Sequence, residues 1–292
     1  VTKLMNGQED DIRPCILCHN GCFNMCHYKG VPNDQDLSDS LHLARCAVNA
    51  ETMQWNKHKI VPTKSPKTVH IIGGGIGGME AARVLKLRGH NPIIHEKADT
   101  LGGTFIAASA ESYEGKLREL LAWYKKQMAD LQIEVHLNEN IDNVEQFKGS
   151  PVIVATGSIA RVLRSVPGNE KMIEACDYLT GTPVGETVAV IGGGLTGCEI
   201  AYELALQGKK PIIVEMKDDL VSQKGVCLAN SSYLREWFAL HKVPVYLETT
   251  LQTVEDGKMT KDLALITSLS DVTVLNSEDF IKAIRTTLEE SL

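Results

Sequence analysis

The sequence predicts an α/β protein built on two Rossmann-like dinucleotide-binding domains, and three observations lead there. One fingerprint occurs twice at a constant offset of 119 positions: Gly73, Gly75, Gly78, Ala82, Gly89 and Glu96 recur as Gly192, Gly194, Gly197, Ala201, Gly208 and Glu215. Each copy follows a short apolar run, Thr68 to Ile72 (TVHII) and Thr187 to Ile191 (TVAVI). Each also opens a segment whose apolar residues recur at helical spacing. Strand, glycine turn, helix and strand in that order make a dinucleotide-binding βαβ unit.

The chemistry of the fingerprint explains its spacing. The first glycine permits the tight turn, the second lets backbone amides approach a pyrophosphate, and the third lets helix and strand pack closely. The phosphates then lie at the positive end of the helix. Glu96 and Glu215 each end the second strand, where a carboxylate can accept hydrogen bonds from a ribose 2′-hydroxyl. Four glycines alone are a weak signal; the Ala, Gly and Glu at fixed offsets, twice over, are a strong one.

At 292 residues the chain exceeds the usual single core, so two or three domains are expected. Hydrophobic content of 43% with 23% charged residues is ordinary for a globular protein. Thirty Lys and Arg stand against 37 Asp and Glu, a net charge of -7 with no long basic run, which argues against nucleic acid or an anionic membrane as partner. No apolar run approaches the ~20 residues of a membrane span, and no signal-peptide pattern opens the sequence, so the expected location is the cytoplasm. Eight cysteines could mean disulfides, yet five crowd between Cys15 and Cys46. In a non-secreted chain such clustering points to metal ligation.

Along the chain, residues 12–63 are turn-rich, with Pro14, Pro32 and Pro62 and only short apolar stretches, as expected of a segment organised around a bound centre. Lys64 to Lys67 (KSPK) is a linker into the first βαβ unit. After Glu96, Leu101-Gly102-Gly103-Thr104 forms a second glycine turn at a place where such domains approach the cofactor again. A helix is predicted over Tyr113 to Leu131, a strand over Ile133 to Leu137, and an apolar strand with a small-residue turn over Pro151 to Gly157. The second unit runs from Glu186 to about Glu248, with a helix near Ser231 to His241 and a strand near Val243 to Leu247. Beyond Thr250, Asp271 to Leu275 reads as a strand and Ser277 to Ser291 as a helix that would complete the first nucleotide domain.

The sharpest feature outside the repeat is Cys15-x2-Cys18-x3-Cys22. Three thiolates this close can wrap one iron-sulfur cluster, with a fourth cysteine from farther along completing the site. Cys26 and Cys46 compete for that place. Zinc is the alternative, with His19, His27 or His42 as further ligands, but zinc domains usually pair two knuckles and only one Cys-x2-Cys occurs here.

Cys176, Cys198 and Cys227 are isolated, and Cys198, directly after Gly197, suits helix packing as a small buried side chain. No cysteine pair follows Gly103, where flavin disulfide reductases carry their dithiol, which argues against disulfide chemistry. His70 and His95 lie in or beside predicted strands and read as satisfied histidines, not catalysts. No catalytic acid or base is singled out; hydride and electron transfer need none from the protein, because the cofactors carry that chemistry.

With these motifs in place the chain resembles the C-terminal part of the iron-sulfur flavoenzymes of the old yellow enzyme class: 2,4-dienoyl-CoA reductase, enoate reductase, trimethylamine dehydrogenase and the bile-acid-inducible NADH:flavin oxidoreductases. The resemblance runs from about Arg13 to about Asp256, and its most specific parts are Arg13-Pro14-Cys15-x2-Cys18, Cys46-Ala47-Val48-Asn49, Gly192 to Glu199 (GGGLTGCE) and Ile213-Val214-Glu215. It implies a glutathione-reductase-like FAD/NAD(P) module preceded by a loop-rich iron-sulfur segment. The domains would be 1–63 for the cluster, 64–160 plus a shortened 265–292 for FAD, and 161–264 for NAD.

Residue by residue, the resemblance implies Cys15, Cys18, Cys22 and Cys46 as [4Fe-4S] ligands. Gly73, Gly75, Gly78, Glu96, Gly102, Gly103, Ala155 and Gly157 would bind FAD; Gly192, Gly194, Gly197, Glu199 and Glu215 would form the nicotinamide site, with an acidic Glu215 favouring NADH over NADPH. NADH would reduce FAD, the cluster would relay electrons, and FMN on a TIM barrel would reduce an activated C=C bond. That barrel is not in this sequence, so an FMN-containing barrel domain or subunit and a small-molecule acceptor are the expected partners, with a homo-oligomer as a further option. The chain is then expected to be a subunit beside a barrel protein or a fragment of a longer reductase. A nucleotide-binding fragment without turnover, or a stand-alone NADH:acceptor oxidoreductase, is the alternative. Two departures stand out: the loop between Cys22 and Cys46 is longer than the family usually has, and Leu275-Asn276 stand where the family closes its flavin domain with Gly-Asp.

Overall fold

A computed structural model describes residues 2–24, 44–160, 163–222 and 226–254, and the backbone of Leu263–Ile266. The strand and helix expected at Asp271 to Leu275 and Ser277 to Ser291 lie outside the described residues, as does Cys26. The chain divides into two compact units. Residues 2–18 and 44–159 make the first; residues 19–24 and those described from 160 onward make the second.

The first unit contains β1 (Thr68–Ile72), α1 (Ile76–Leu87), β2 (Asn91–His95), α2 (Gly115–Asp130), β3 (Glu134–His136) and β4 (Val152–Val154). The second contains β5 (Thr187–Ile191), α3 (Leu195–Leu206), β6 (Lys210–Val214), α4 (Leu228–Leu240), β7 (Val245–Tyr246) and β8 (Leu263–Ile266). The two sheets run β3-β2-β1-β4 and β7-β6-β5-β8, every pairing parallel. The registers repeat as well: Thr68 opposes Asn91 and Ile72 opposes His95, while Thr187 opposes Lys210 and Ile191 opposes Val214. Parallel pairing requires a crossover between strands, and a helix is the element that supplies it while covering the sheet face.

The third glycine of each fingerprint explains how closely that helix sits. A Cβ on Gly78 would fall 1.9 Å from the Gly73 carbonyl oxygen, and one on Gly197 would fall 1.9 Å from that of Gly192. Ala82 and Ala201, one turn farther on, are fully buried. Beneath them the first core gathers Ile71, Met79, Ile94, Leu120, Tyr124 and Met128, and the second Val188, Val190, Ile200, Leu204, Ile213 and Phe238. Each such aliphatic or aromatic side chain contributes roughly 1.5–3 kcal/mol on full burial.

The sequence expectations hold in kind and shift at their ends. Both fingerprint strands coincide with β1 and β5. The α4 helix begins at Leu228, ahead of the expected Ser231, because Cys227 ends the extended chain at ψ 131° and its N–H is taken by the Asn20 side chain at 3.1 Å. The strand and small-residue turn expected over Pro151 to Gly157 appear as β4, ending at Val154; the Ala155 N–H still donates to the Ile72 carbonyl at 2.8 Å, after which the chain turns through Gly157 at φ 71°. Of the segment 265–292 expected to close the first domain, the described residues are Leu265 and Ile266, and they belong to β8 of the second sheet.

Candidate functional site: two glycine turns and a cysteine segment

In the first unit the chain leaves β1 through Gly73 at φ 107°, a conformation only glycine adopts without strain. A Cβ there would also strike the Ala155 carbonyl oxygen at 2.3 Å. Gly75 caps α1 with no side chain of its own, so the first-turn amides are free of side-chain caps. The second glycine turn docks on the first, backbone to backbone: the Gly102 N–H donates to the Gly74 carbonyl at 2.9 Å, and Gly75 and Gly102 form an isolated parallel bridge.

What this leaves is a cavity of about 880 Å³ within the first unit, lined by Gly73, Gly75, Gly77, Glu96, Gly102, Gly103, Ala155, Thr156 and Gly157 among others. Seven of the residues expected to hold FAD meet there; Gly78 does not, because its role is the helix–strand contact already described. Added side chains at Gly75 and Gly77 would meet nothing closer than 4.0 Å, so the space is open to a ligand. The cavity suits a dinucleotide: helix-end amides for phosphate, glycines for close approach, and a carboxylate at the end of β2.

Glu96 is buried, and both its oxygens are engaged, Oε2 by the Gly74 N–H at 2.6 Å and Oε1 by the Ala98 N–H at 2.8 Å. An ionised carboxylate offers about four lone-pair sites, so two backbone donors hold it in place and leave acceptor capacity facing the cavity. Glu215 repeats the arrangement, accepting from the Gly193 N–H at 2.5 Å and the Lys217 N–H at 2.8 Å. Gly192 has φ 108°, and Gly194 caps α3 as Gly75 caps α1. Glu199 lies half-buried in the first turns of α3.

The cysteine segment is tied to the first unit by Arg13. Its guanidinium bonds the Val48 carbonyl oxygen, pairs with Glu80 on α1 at 3.0 Å, and lies 4.6 Å over the Trp123 ring of α2. Burial pushes the Glu80 carboxyl up, but the Arg83 and Arg13 guanidiniums outweigh it and hold that carboxyl below its usual range. One side chain thus positions both Pro14-Cys15 and the Cys46-Ala47-Val48 turn. Leu17 and His19, on either side of Cys18, adopt φ 57° and 58°, left-handed values that turn the backbone tightly around the cysteine. The Leu17 N–H points at Cys15 Sγ, 3.4 Å away, as amides do toward the sulfurs of a ligated cluster.

Cys15, Cys18 and Cys46 fall in the first unit and Cys22 in the second, and none of the described cysteines forms a disulfide. Cys198 is fully buried, its thiol pushed up to about 12 by burial first and the nearby Glu199 and Glu215 next. It donates to the Gly193 carbonyl and packs the turn, in line with its expected role. Among the described residues no helix is long and apolar enough to cross a membrane.

Residues 67–284 match the pyridine nucleotide-disulphide oxidoreductase family. The chain belongs to that family. It is 32% identical over 294 residues to the cinnamate reductase of Clostridium sporogenes, covering 99% of this chain and 42% of that one. It is 34% identical over 230 residues to the NADH oxidase of Thermoanaerobacter brockii, covering 75% of this chain and 33% of that one. Its fold matches a 2-naphthoyl-CoA reductase in complex with 2-naphthoyl-CoA at TM-score 0.74 and 23% identity, over 97% of this chain and 43% of that structure. The chain therefore spans less than half the length of the relatives it matches. These matches agree with the expected resemblance to the C-terminal module of the old yellow enzyme class reductases.

Thr104, the last residue of the second glycine turn, lines the cavity as that turn's expected place by the cofactor requires. Sequence reasoning missed Phe105 and the loop Glu139-Asn140-Ile141, which line it too. Phe105 follows the glycine turn and was within reach of the pattern; the loop after β3 carries no motif, and only the sheet order places it there.

Proposed function

We propose that this chain is the NADH-dependent oxidoreductase module of a larger reductase system, passing electrons from NADH toward a partner FMN barrel that reduces an activated C=C bond. The observation that carries the reading is the glycine-lined cavity of the first unit with Glu96 fixed at its edge. The names of its relatives, a cinnamate reductase and an NADH oxidase, support the substrate class and the electron donor. When bound, FAD supplies hydride acceptance and a [4Fe-4S] cluster supplies one-electron exchange.

This chain's own residues bind and orient. Gly73, Gly75, Gly102, Gly103, Ala155 and Gly157 present backbone to the FAD pyrophosphate and its neighbours, and Glu96 accepts from the adenosine ribose. Gly192, Gly194, Glu199 and Glu215 form the nicotinamide-dinucleotide site, with Gly197 holding α3 close to its strand as Gly78 holds α1, and the Glu215 carboxylate repels a 2′-phosphate. Cys15, Cys18, Cys22 and Cys46 are the proposed cluster ligands, on the chemistry of an all-thiolate donor set.

The test is the visible spectrum of anaerobically purified protein. Flavin bands near equal stoichiometry with a broad cluster shoulder, both bleached by NADH, are expected. A colourless protein that still binds nucleotide would replace the reading with nucleotide binding without turnover. Acceptor reduction that needs no barrel partner would replace it with a stand-alone NADH:acceptor oxidoreductase. Substituting Cys46 and Cys26 separately and counting iron identifies the fourth ligand.

A further inference from the structure

The ends of β2 and β3 in the first unit bring together a set of side chains that nucleotide binding does not require. His95 and His136 are register partners in the parallel pair, so both rings project from the same face of the sheet. Glu139 Oε2 lies 2.7 Å from His95 Nδ1 and 3.1 Å from His136 Nδ1. One donor atom from each of the three residues lies within 4.8 Å of the others.

The far nitrogen of each ring is also held. His95 Nε2 is 2.9 Å from His70 Nδ1, and His136 Nε2 is 2.7 Å from Glu134 Oε1. Phe147 stacks on His70 at 4.1 Å between centroids and lies 4.9 Å from the His95 ring. Metal-binding histidines show this pattern: one nitrogen faces the ion while the other donates to a carboxylate or another acceptor that fixes tautomer and orientation.

Glu134 and Glu139 sit against opposite nitrogens of His136, and a neutral imidazole has one proton for the two of them. A second proton on His136 would serve both glutamates; a cation would do so instead by taking the two Nδ1 atoms and Glu139 as ligands, the Nδ1–Oε2 distances of 2.7 and 3.1 Å opening by about half an ångström to admit it while each ring keeps its proton on Nε2.

The second unit shows that the fold does not ask for these residues. Its backbone is the same at this place: the Glu139 N–H donates to the Glu96 carbonyl and the Thr249 N–H to that of Glu215, both at 2.9 Å. Yet Val214 stands opposite Tyr246 where the first unit has His95 opposite His136, and Ala189 occupies the place of His70. No stability requirement of the βαβ scaffold accounts for three histidines and two glutamates around one point in one copy.

We propose that His95, His136 and Glu139 bind a divalent transition-metal ion of the zinc class through two imidazole Nδ1 atoms and one carboxylate oxygen, with water in the remaining positions. Two nitrogen ligands and one oxygen select zinc, cobalt or nickel over magnesium or calcium, which prefer oxygen alone. His95 is buried on rigid strand, whereas His136 and Glu139 are open enough to admit the ion. Because His95, Glu139 and the residues after it also line the nucleotide cavity, the ion would tie β2, β3 and that loop into one wall. The site stands independently of the proposed redox function.

The test uses the full chain and Co²⁺ as the probe. With Cys15, Cys18, Cys22, Cys26 and Cys46 replaced by serine so that the cysteine segment takes no metal, one equivalent should bind with visible d–d bands and no near-ultraviolet thiolate charge-transfer band, and Zn²⁺ should displace it. His136→Asn and Glu139→Gln, both on solvent-facing side chains, should abolish these bands. Glu134→Gln, which leaves all three ligands in place and loosens the hold on His136, should weaken binding about 10–100-fold. Circular dichroism identical to the parent confirms that the variants fold. No Co²⁺ uptake, binding unchanged in both ligand variants, or uptake seen only through the thiolate band would each overturn the proposal.

Discussion

In the first unit the turn after β2 reads Leu101-Gly102-Gly103; in the second the turn after β6 reads Leu220-Val221-Ser222. The backbone hydrogen bonds are the same, Gly102 N–H to the Gly74 carbonyl at 2.9 Å and Val221 N–H to the Gly193 carbonyl at 2.7 Å. The leucines match too, Leu101 lying against Gly74 and Leu220 against Gly193. The middle residue of the turn differs. Gly102 takes φ 133° at no cost and lines the cavity, whereas Val221 is buried with φ 46°, a left-handed value that costs a non-glycine residue about 1–2 kcal/mol. A duplicated scaffold has thus kept its skeleton and changed what it shows to a ligand: bare backbone in one copy, a packed side chain in the other. The histidine and glutamate set at the ends of β2 and β3 is a second difference of the same kind.

If the skeleton is what the copies share, breaking it should hurt both alike, and this is the largest effect expected. Gly78→Ala and Gly197→Ala each drive a Cβ to 1.9 Å from a backbone carbonyl oxygen that cannot yield. Each should cost about 3 kcal/mol or more, read as a lowered melting transition or failure to fold. Near-equal losses support a common skeleton; a tolerated substitution in either copy would break it.

Next come the carboxylates. Glu96→Ala and Glu215→Ala each strand two backbone donors and should cost about 2 kcal/mol in chemical denaturation. Beyond that shared loss their ligand effects should diverge: the first should release flavin on gel filtration, and the second should raise the Michaelis constant for NADH and relax discrimination against NADPH. Unchanged nucleotide selectivity in Glu215→Ala would reject that residue's role.

Arg13 anchors the cysteine segment to the first unit, and the second unit has no counterpart to it in sequence. Arg13→Ala removes the Glu80 pair and the contact with Trp123 and should cost about 1 kcal/mol, with reduced iron on purification. Arg13→Lys should not restore iron, because an ammonium cannot bond the Val48 carbonyl and Glu80 in the fork a guanidinium makes. Smallest in stability is Gly75→Ala, whose Cβ meets nothing closer than 4.0 Å. Its stability should change by no more than about 0.5 kcal/mol, while nucleotide affinity falls because the new methyl occupies the approach to the helix end.

Much of this is legible in the sequence. The fingerprint strands were found to the residue because apolar runs abutting Gly73 and Gly192 mark their ends. Gly102 and Gly103 were readable because a glycine pair advertises a turn. The wall at Glu139 to Ile141 was not, since a loop with no motif is located only by the strand before it. His70, His95 and His136 are separated in sequence by 25 and 41 positions, and nothing in spacing says that strand order β3-β2-β1 stacks them side by side.

The sequence by itself determined the duplicated βαβ skeleton, because glycine spacing and apolar periodicity are local constraints that any such turn and helix must meet. It also determined the thiolate-rich segment, because cysteines at short intervals are chemistry written in one stretch of chain. Tertiary structure decided which carboxylate oxygens face backbone donors, which glycine turn is left bare and which is filled, and that imidazoles from neighbouring parallel strands converge on one glutamate. Those outcomes depend on register between strands far apart in sequence, and register is fixed by packing across the whole sheet.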